Sequence, residues 1–156
     1  MLRSSCLFEL SEFGEELQLN QYPDLSKALE DYVRYFNAGD SEKVALYYAN
    51  EAVIAPPVGP ELHGRGAIQF YYRQTFREMS PQLSNYRPEC HVMGDWVVVR
   101  ETWSVTVGQS RSRQFTTSGK GLWLARKDPD KDWSTMRVVW SLARFDDPVP
   151  DWLGSD

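Results

Sequence analysis

The spacing of apolar residues changes once along this chain, near residue 85. Before that point apolar positions recur with a helical period; after it they alternate. Leu25, Leu29, Tyr32, Val33 and Phe36 fall at i, i+4, i+7, i+8 and i+11, the stripe of an amphipathic helix that starts after Pro23 with Asp24 or Ser26 as N-cap. Gly39, free to take positive φ, stops it. Asp40 caps a second, short helix carrying Val44, Tyr47 and Tyr48. Ala52 to Ala55 reads as a short strand ended by Pro56 and Pro57, and 58–64 as loop. A third helix follows Gly64, with Ile68, Tyr72, Thr75, Phe76 and Met79 on one face, and Ser80-Pro81 closes it.

The alternating part divides into strands Tyr86–Met93, Trp96–Val107, Gln114–Lys127 and Trp133–Phe145, joined by turns at Gly94-Asp95, 108–112 and 128–132. Three hairpin connections predict an antiparallel meander that must curl to cover the helices. The expected class is α+β, with three N-terminal helices packed on a curved, mostly antiparallel sheet. Residues 1–23 read as an N-terminal arm, 24–145 as the domain, and 146–156 as an acidic C-terminal tail holding Trp152-Leu153.

Composition changes this picture in a few places. At 156 residues the chain is long enough for one core without staples. An aromatic share of 13% suits a concave apolar cavity, though such residues also fill cores. A net charge of −5 gives no electrostatic reason to bind nucleic acid or an acidic membrane surface. Cys6 and Cys90 have neither metal-like spacing nor the number for a disulfide framework. No apolar run approaches a membrane span, and the one at the N-terminus is too short for a secretory signal, so the expected location is cytoplasmic. Phosphate loops, nucleophile elbows, His-Glu-x-x-His helices and Cys-x-x-Cys pairs are all missing, so no cofactor and no metal is expected.

Several stretches together carry a resemblance. They are Phe36-Asn-Ala-Gly-Asp40, Tyr48-Ala-Asn-Glu-Ala52, Pro57-Val-Gly59, His63-Gly-Arg-Gly-Ala-Ile68, Gly94-Asp95-Trp-Val-Val-Val-Arg100, Gly119-Lys120 and the strand from Trp133 to Trp140. In this order they resemble the nuclear transport factor 2-like superfamily, which includes ketosteroid isomerase and SnoaL-like polyketide cyclases. The resemblance implies a cone-shaped roll whose open end takes a small, often apolar ligand, and a homodimer through the outer sheet face. Trp133, Thr135, Arg137 and Val139 alternate apolar and polar residues as such an interface would.

Ketosteroid isomerase-like members pair a helix tyrosine that stabilises an oxyanion with a carboxylate base before Pro-Val-Gly, and add a protonated Asp on a later strand. Here the tyrosine corresponds to Tyr32. The base position holds Pro56, which cannot accept a proton, and the strand position falls near Lys120. Tyr32 is either a ligand hydrogen-bond donor or a core tyrosine whose hydroxyl meets a neighbour. Lys120, on a face with Leu122 and Leu124, is either a snorkelling edge residue or a cavity group with a lowered pKa. Glu101, on a face with Trp103 and Val105, is a cavity acid or half of an interface salt bridge, the second being preferred. Where many cyclase-like relatives carry Asp, this chain has Val138.

The expected site is thus Tyr32 and Lys120 as catalytic residues, with Val33, Phe36, Tyr48, Phe76, Trp103, Leu122, Met136, Val138 and Trp140 as ligand walls. The function expected is binding of a small apolar carbonyl compound, as a cofactor-free isomerase, cyclase or dehydratase, or as a non-catalytic binding or homodimerisation module.

Overall fold

The computed structural model describes residues 22–108, 114–128 and 133–143. They form helices α1 (Pro23–Asn37), α2 (Ser41–Ala45) and α3 (Arg65–Met79) and strands β1 (Tyr48–Ala55), β2 (Leu62–His63), β3 (Gln82–Met93), β4 (Trp96–Val107), β5 (Phe115–Lys127) and β6 (Trp133–Ala143). The sheet order is β2-β1-β6-β5-β4-β3, with β1 parallel to β6 and every other pair antiparallel. This is the expected α+β architecture of helices on a mostly antiparallel sheet.

Local chemistry sets the helix ends. Pro23 opens α1, where a missing N–H costs nothing. Tyr22 is the N-cap residue, without a side-chain bond, instead of Asp24 or Ser26. Asp24 instead pairs with Lys127 Nζ at 2.6 Å, tying the start of α1 to the end of β5. At its other end Gly39 turns the chain at φ +69°. Asn37 then clamps β3: its Nδ2 donates to the Leu83 carbonyl at 3.0 Å, and its Oδ1 accepts from the Leu83 N–H at 2.6 Å. Asp40 caps α2 as expected, accepting from the Lys43 N–H at 3.0 Å.

Three departures come from pairing that no local period reveals. Tyr47 and Tyr48 were expected on the second helix, but α2 ends at Ala45 and Tyr48 opens β1. The parallel partner β6, far along the chain, supplies the hydrogen bonds that make residues 48–55 a strand. Strand β3 begins at Gln82 instead of Tyr86, passing a bulge where Asn85 takes φ +51°. The third departure is β2, which forms within the expected loop because Leu62 and His63 pair with β1.

A further bulge corrects the expected outer face. On β6 the register slips at Met136, from Thr135 opposite Ala125 to Arg137 opposite Leu124. One extra residue reverses the alternation. Trp133 and Thr135 are therefore buried, and only Arg137 and Val139 face outward.

The core lies between α1, α3 and the inner sheet face, around Leu25, Leu29, Val44, Ile54, Ile68, Val97, Val99 and Val138. The expected arm and tail lie outside the described residues, apart from Tyr22 and Pro23 at the head of α1. Among the described residues no helix is long and apolar enough to cross a membrane.

Candidate functional site

Core packing stops short of the open end of the sheet. Between α1, α3 and strands β3 to β6 lies a cavity of about 290 Å³, at the lower end of the usual ligand range. Strand alternation builds one wall, with Glu101, Trp103, Val105 and Val107 of β4 pointing inward in turn. Phe115, Thr117 and Trp123 come from β5, Trp140 and Leu142 from β6, and Leu83 and Tyr86 from β3. The helices add Tyr32, Phe36, Tyr71, Tyr72, Thr75 and Met79, and the turn after β1 adds Pro57 and Val58. At the rim Val58, Met79, Phe115 and Leu142 remain exposed.

The walls are apolar except at one end. Glu101 is 2% exposed and, among the described residues, has no cation beside it. Its strand neighbour Arg100 points to the other face and pairs with Glu89 at 2.6 Å. The preferred reading of Glu101 as half of an interface ion pair is thus wrong: the exposed pair on this strand belongs to Arg100, because alternation sends the two side chains to opposite faces.

Burial raises the Glu101 pKa above the ordinary carboxyl value. The polar hydrogens of Trp123, Tyr86, Trp140 and Trp103 act the other way but do not reverse it. Tyr86 is held well above the usual phenol range, first by burial and then by the neighbouring Glu101 charge.

Among the described residues Glu101 Oε2, Tyr86 Oη and Trp123 Nε1 are buried without a partner at full hydrogen-bonding geometry, although Tyr86 and Trp123 lie near enough to Glu101 for their polar hydrogens to act on its charge. Buried polar atoms in a native structure nearly always have partners, and this group of two donors and one carboxyl is only loosely closed on itself, leaving capacity to bond a further polar atom in the cavity.

Beside this end runs a chain of phenols. Tyr32 and Tyr72 share a hydrogen bond of 3.0 Å, and Tyr72 and Tyr48 one of 2.7 Å. All three pKa values are raised by burial, so the hydroxyls stay protonated. Trp123 packs edge-on against Tyr32 at 5.0 Å and stacks on Tyr48 at 5.9 Å. Tyr32 therefore has a protein partner for its hydroxyl while its side chain also lines the cavity.

The expected site residues divide sharply. Tyr32, Phe36, Trp103 and Trp140 line the cavity. Tyr48, Phe76 and Val138 are buried in the core beneath it, and Val33 and Met136 are partly buried against that core. Lys120 and Leu122 are corrected outright: both are exposed on the outer face, Leu122 at 53%. On β5 it is Gly119, Trp123 and Ala125 that are buried, whereas Lys120 and Leu122 alternate outward. Two leucines suggested an inward face, but the glycines, tryptophan and alanine mark it. Trp123 was missed for that reason; Tyr86 was read as the head of its strand, and the bulge before it at Asn85 hid which face it takes. Among the described residues no group of three or more His, Cys, Asp or Glu side chains could hold a metal ion.

A family model of the SnoaL-like domain matches residues 29–147. No curated protein sequence matches the chain. Among solved structures, a ketosteroid isomerase-like protein from Erwinia carotovora atroseptica SCRI1043 is 22% identical, with a TM-score of 0.61 over 76% of this chain and 93% of that one. A nuclear transport factor 2-like superfamily protein from Salmonella enterica is 19% identical, with a TM-score of 0.68 over 79% and 92%. An NTF2-like protein with a cystatin-like fold from Novosphingobium aromaticivorans is also 19% identical, with a TM-score of 0.67 over 81% and 84%. At these identities the likeness is one of fold.

Proposed function

This chain belongs to the SnoaL-like domain family, within the nuclear transport factor 2-like superfamily, and on that footing we propose that its cavity binds a small, largely apolar carbonyl compound. The observation that carries this reading is the set of three incompletely bonded polar atoms, Glu101 Oε2, Tyr86 Oη and Trp123 Nε1, clustered at one end of an apolar cavity. A carbonyl oxygen has two lone pairs and accepts two hydrogen bonds. The indole N–H and a protonated Glu101 supply those two, while the Tyr86 hydroxyl can donate to the other Glu101 oxygen. The raised carboxyl pKa favours that protonated form.

The catalytic form of this reading is polarisation of the carbonyl by neutral Glu101 and its neighbours. It needs no cofactor. Pro56 stands at the superfamily's base position, and Glu101 is the one carboxyl among the described residues lining the cavity. That asymmetry suits an acid-assisted isomerisation, cyclisation or dehydration. It equally supports the second reading, a binding module that holds the carbonyl compound without turning it over.

The test compares acetonaphthone with isopropylnaphthalene, which has nearly the same shape and no acceptor, by quenching of tryptophan fluorescence. The ketone should bind about tenfold more tightly, the factor of one good hydrogen bond. Trp123→Phe should remove most of that preference. Lys120→Met, on the outer face, should leave it unchanged. Equal binding of the two probes by the unaltered protein would end the carbonyl reading.

The assembly proposal is a homodimer through the outer sheet face. Leu122 and Val139, 53% and 59% exposed, lie opposite each other across β5 and β6. Arg100, Lys120 and Arg137 surround them as a polar rim.

A further inference from the structure

Beneath the Glu101 carboxyl the sheet carries no side chain. Glu101 on β4, Gly121 on β5 and Trp140 on β6 are register partners in one row across the strands. A Cβ added at Gly121 would lie 2.7 Å from Glu101 Oε1 and 2.6 Å from Trp140 Cδ1, tighter than side chains tolerate. The Glu101 side chain therefore extends across β5 toward the indole of β6. The backbone of Gly121 is not in the positive-φ region, so its conformation does not call for glycine. Only the space above it does.

A similar arrangement recurs two residues earlier. A Cβ at Gly119 would run into the Trp103 ring and the Ser141 carbonyl oxygen. The stretch Gly119-Lys120-Gly121 thus serves the cavity through two missing side chains, one under Trp103 and one under Glu101, while Lys120 faces away.

We propose that Gly121 is the positioning residue for Glu101: its missing Cβ lets the carboxyl lie across β5 against Trp140, and so fixes where the cavity's polar end meets a ligand. The ligand half of this statement rests on the carbonyl reading above. The placement of the carboxyl does not.

The experiment separates the two. In ligand-free protein the Glu101 carboxyl is followed by side-chain carbon NMR through a pH titration, with Glu101→Gln identifying its signal. The titratable groups facing it are phenols, Tyr86 from β3, Tyr32 from α1 and Tyr48 from β1, all held above their usual range and silent where carboxyls titrate. In Gly121→Ala the Oε1 must leave its place against Gly121, and a move away from the sheet carries it into the cavity that Glu101 lines. The carboxyl midpoint should therefore fall toward the ordinary carboxylate value, and acetonaphthone affinity should drop about tenfold. Adding Glu101→Asp, one methylene shorter, should restore part of that affinity.

An unchanged carboxyl midpoint in Gly121→Ala overturns the proposal. A shifted midpoint with unchanged acetonaphthone binding upholds the positioning role and counts against the carbonyl reading instead. If Gly121→Ala does not fold, Gly121→Ala/Trp140→Leu, which removes the other close contact of the added Cβ, is titrated instead: a carboxyl midpoint lower than in Trp140→Leu alone supports the proposal, and an equal one overturns it.

Discussion

Removing one hydroxyl from the middle of the phenol chain should cost more than removing either end. Tyr72 makes two hydrogen bonds, of 3.0 Å to Tyr32 and 2.7 Å to Tyr48, and all three residues are buried. Tyr32→Phe or Tyr48→Phe each deletes one bond and leaves Tyr72 with its other partner. A typical buried hydrogen bond contributes about 1 kcal/mol net, so each end variant should lose about that much. Tyr72→Phe deletes both bonds and strands two buried hydroxyls, each with a desolvation penalty of about 1–3 kcal/mol. Tyr32 and Tyr48 already lie near enough to act on each other's hydroxyl, so part of that penalty is recovered. The expected loss for Tyr72→Phe is therefore about 2–3 kcal/mol. The triple Phe variant should lose less than the sum of the single losses, because removing every partner leaves no orphan behind. Urea unfolding followed by circular dichroism measures all of these, with an unchanged slope confirming that the denatured state is the same. A Tyr72→Phe loss no larger than that of Tyr32→Phe would refute the reasoning. So would strictly additive behaviour in the triple variant.

Two other outcomes follow from the remaining geometry. Glu101 has a pKa raised by burial, so the folded protein holds its proton to higher pH than the unfolded chain does. Its contribution to stability is therefore intact below the unfolded carboxyl value, about 4.3, and falls as pH rises through the raised folded value. Glu101→Gln should be more stable than the unaltered protein at pH 7, with the advantage vanishing near pH 4; an advantage that grows toward acid would contradict the assigned burial. On the outer face, Leu122→Asp and Val139→Asp should each convert a dimer to monomers in light scattering at micromolar concentration while leaving acetonaphthone binding intact. A native dimer that survives both changes would place the interface elsewhere.

Much of the fold could be read because its signals are local. The stripe Leu25, Leu29, Tyr32 on α1, the Asp40 cap, the turn at Gly94 and the change of period near residue 85 each depend on neighbours a few positions apart. Such signals survive in one dimension. The site was less legible. Tyr32, Phe36, Trp103 and Trp140 were placed on the correct faces, since alternation within an uninterrupted strand and a helical stripe both carry direction. Lys120 and Leu122 were not, because a strand of Gly, Lys, Gly, Leu, Trp and Leu reads as inward on either face. The choice turns on which face must accommodate bulky rings from β4 and β6, and register decides that. The face of Trp133 and Thr135 was misread for a related reason: the bulge at Met136 reverses alternation without any mark in the sequence.

Sequence alone determined the class and order of the longer elements and the absence of a carboxylate before Pro57. These follow from periodicity, turn residues and identity at a position. Only the tertiary structure decided that Glu101 is the cavity's acid. Its role comes from three separate elements: Tyr86 on β3, Gly121 and Trp123 on β5, and Trp140 on β6. None of them lies within 14 residues of Glu101 in the chain. A carboxyl's desolvation and its unpaired oxygen are properties of the space around it, and that space exists only once the strands have paired.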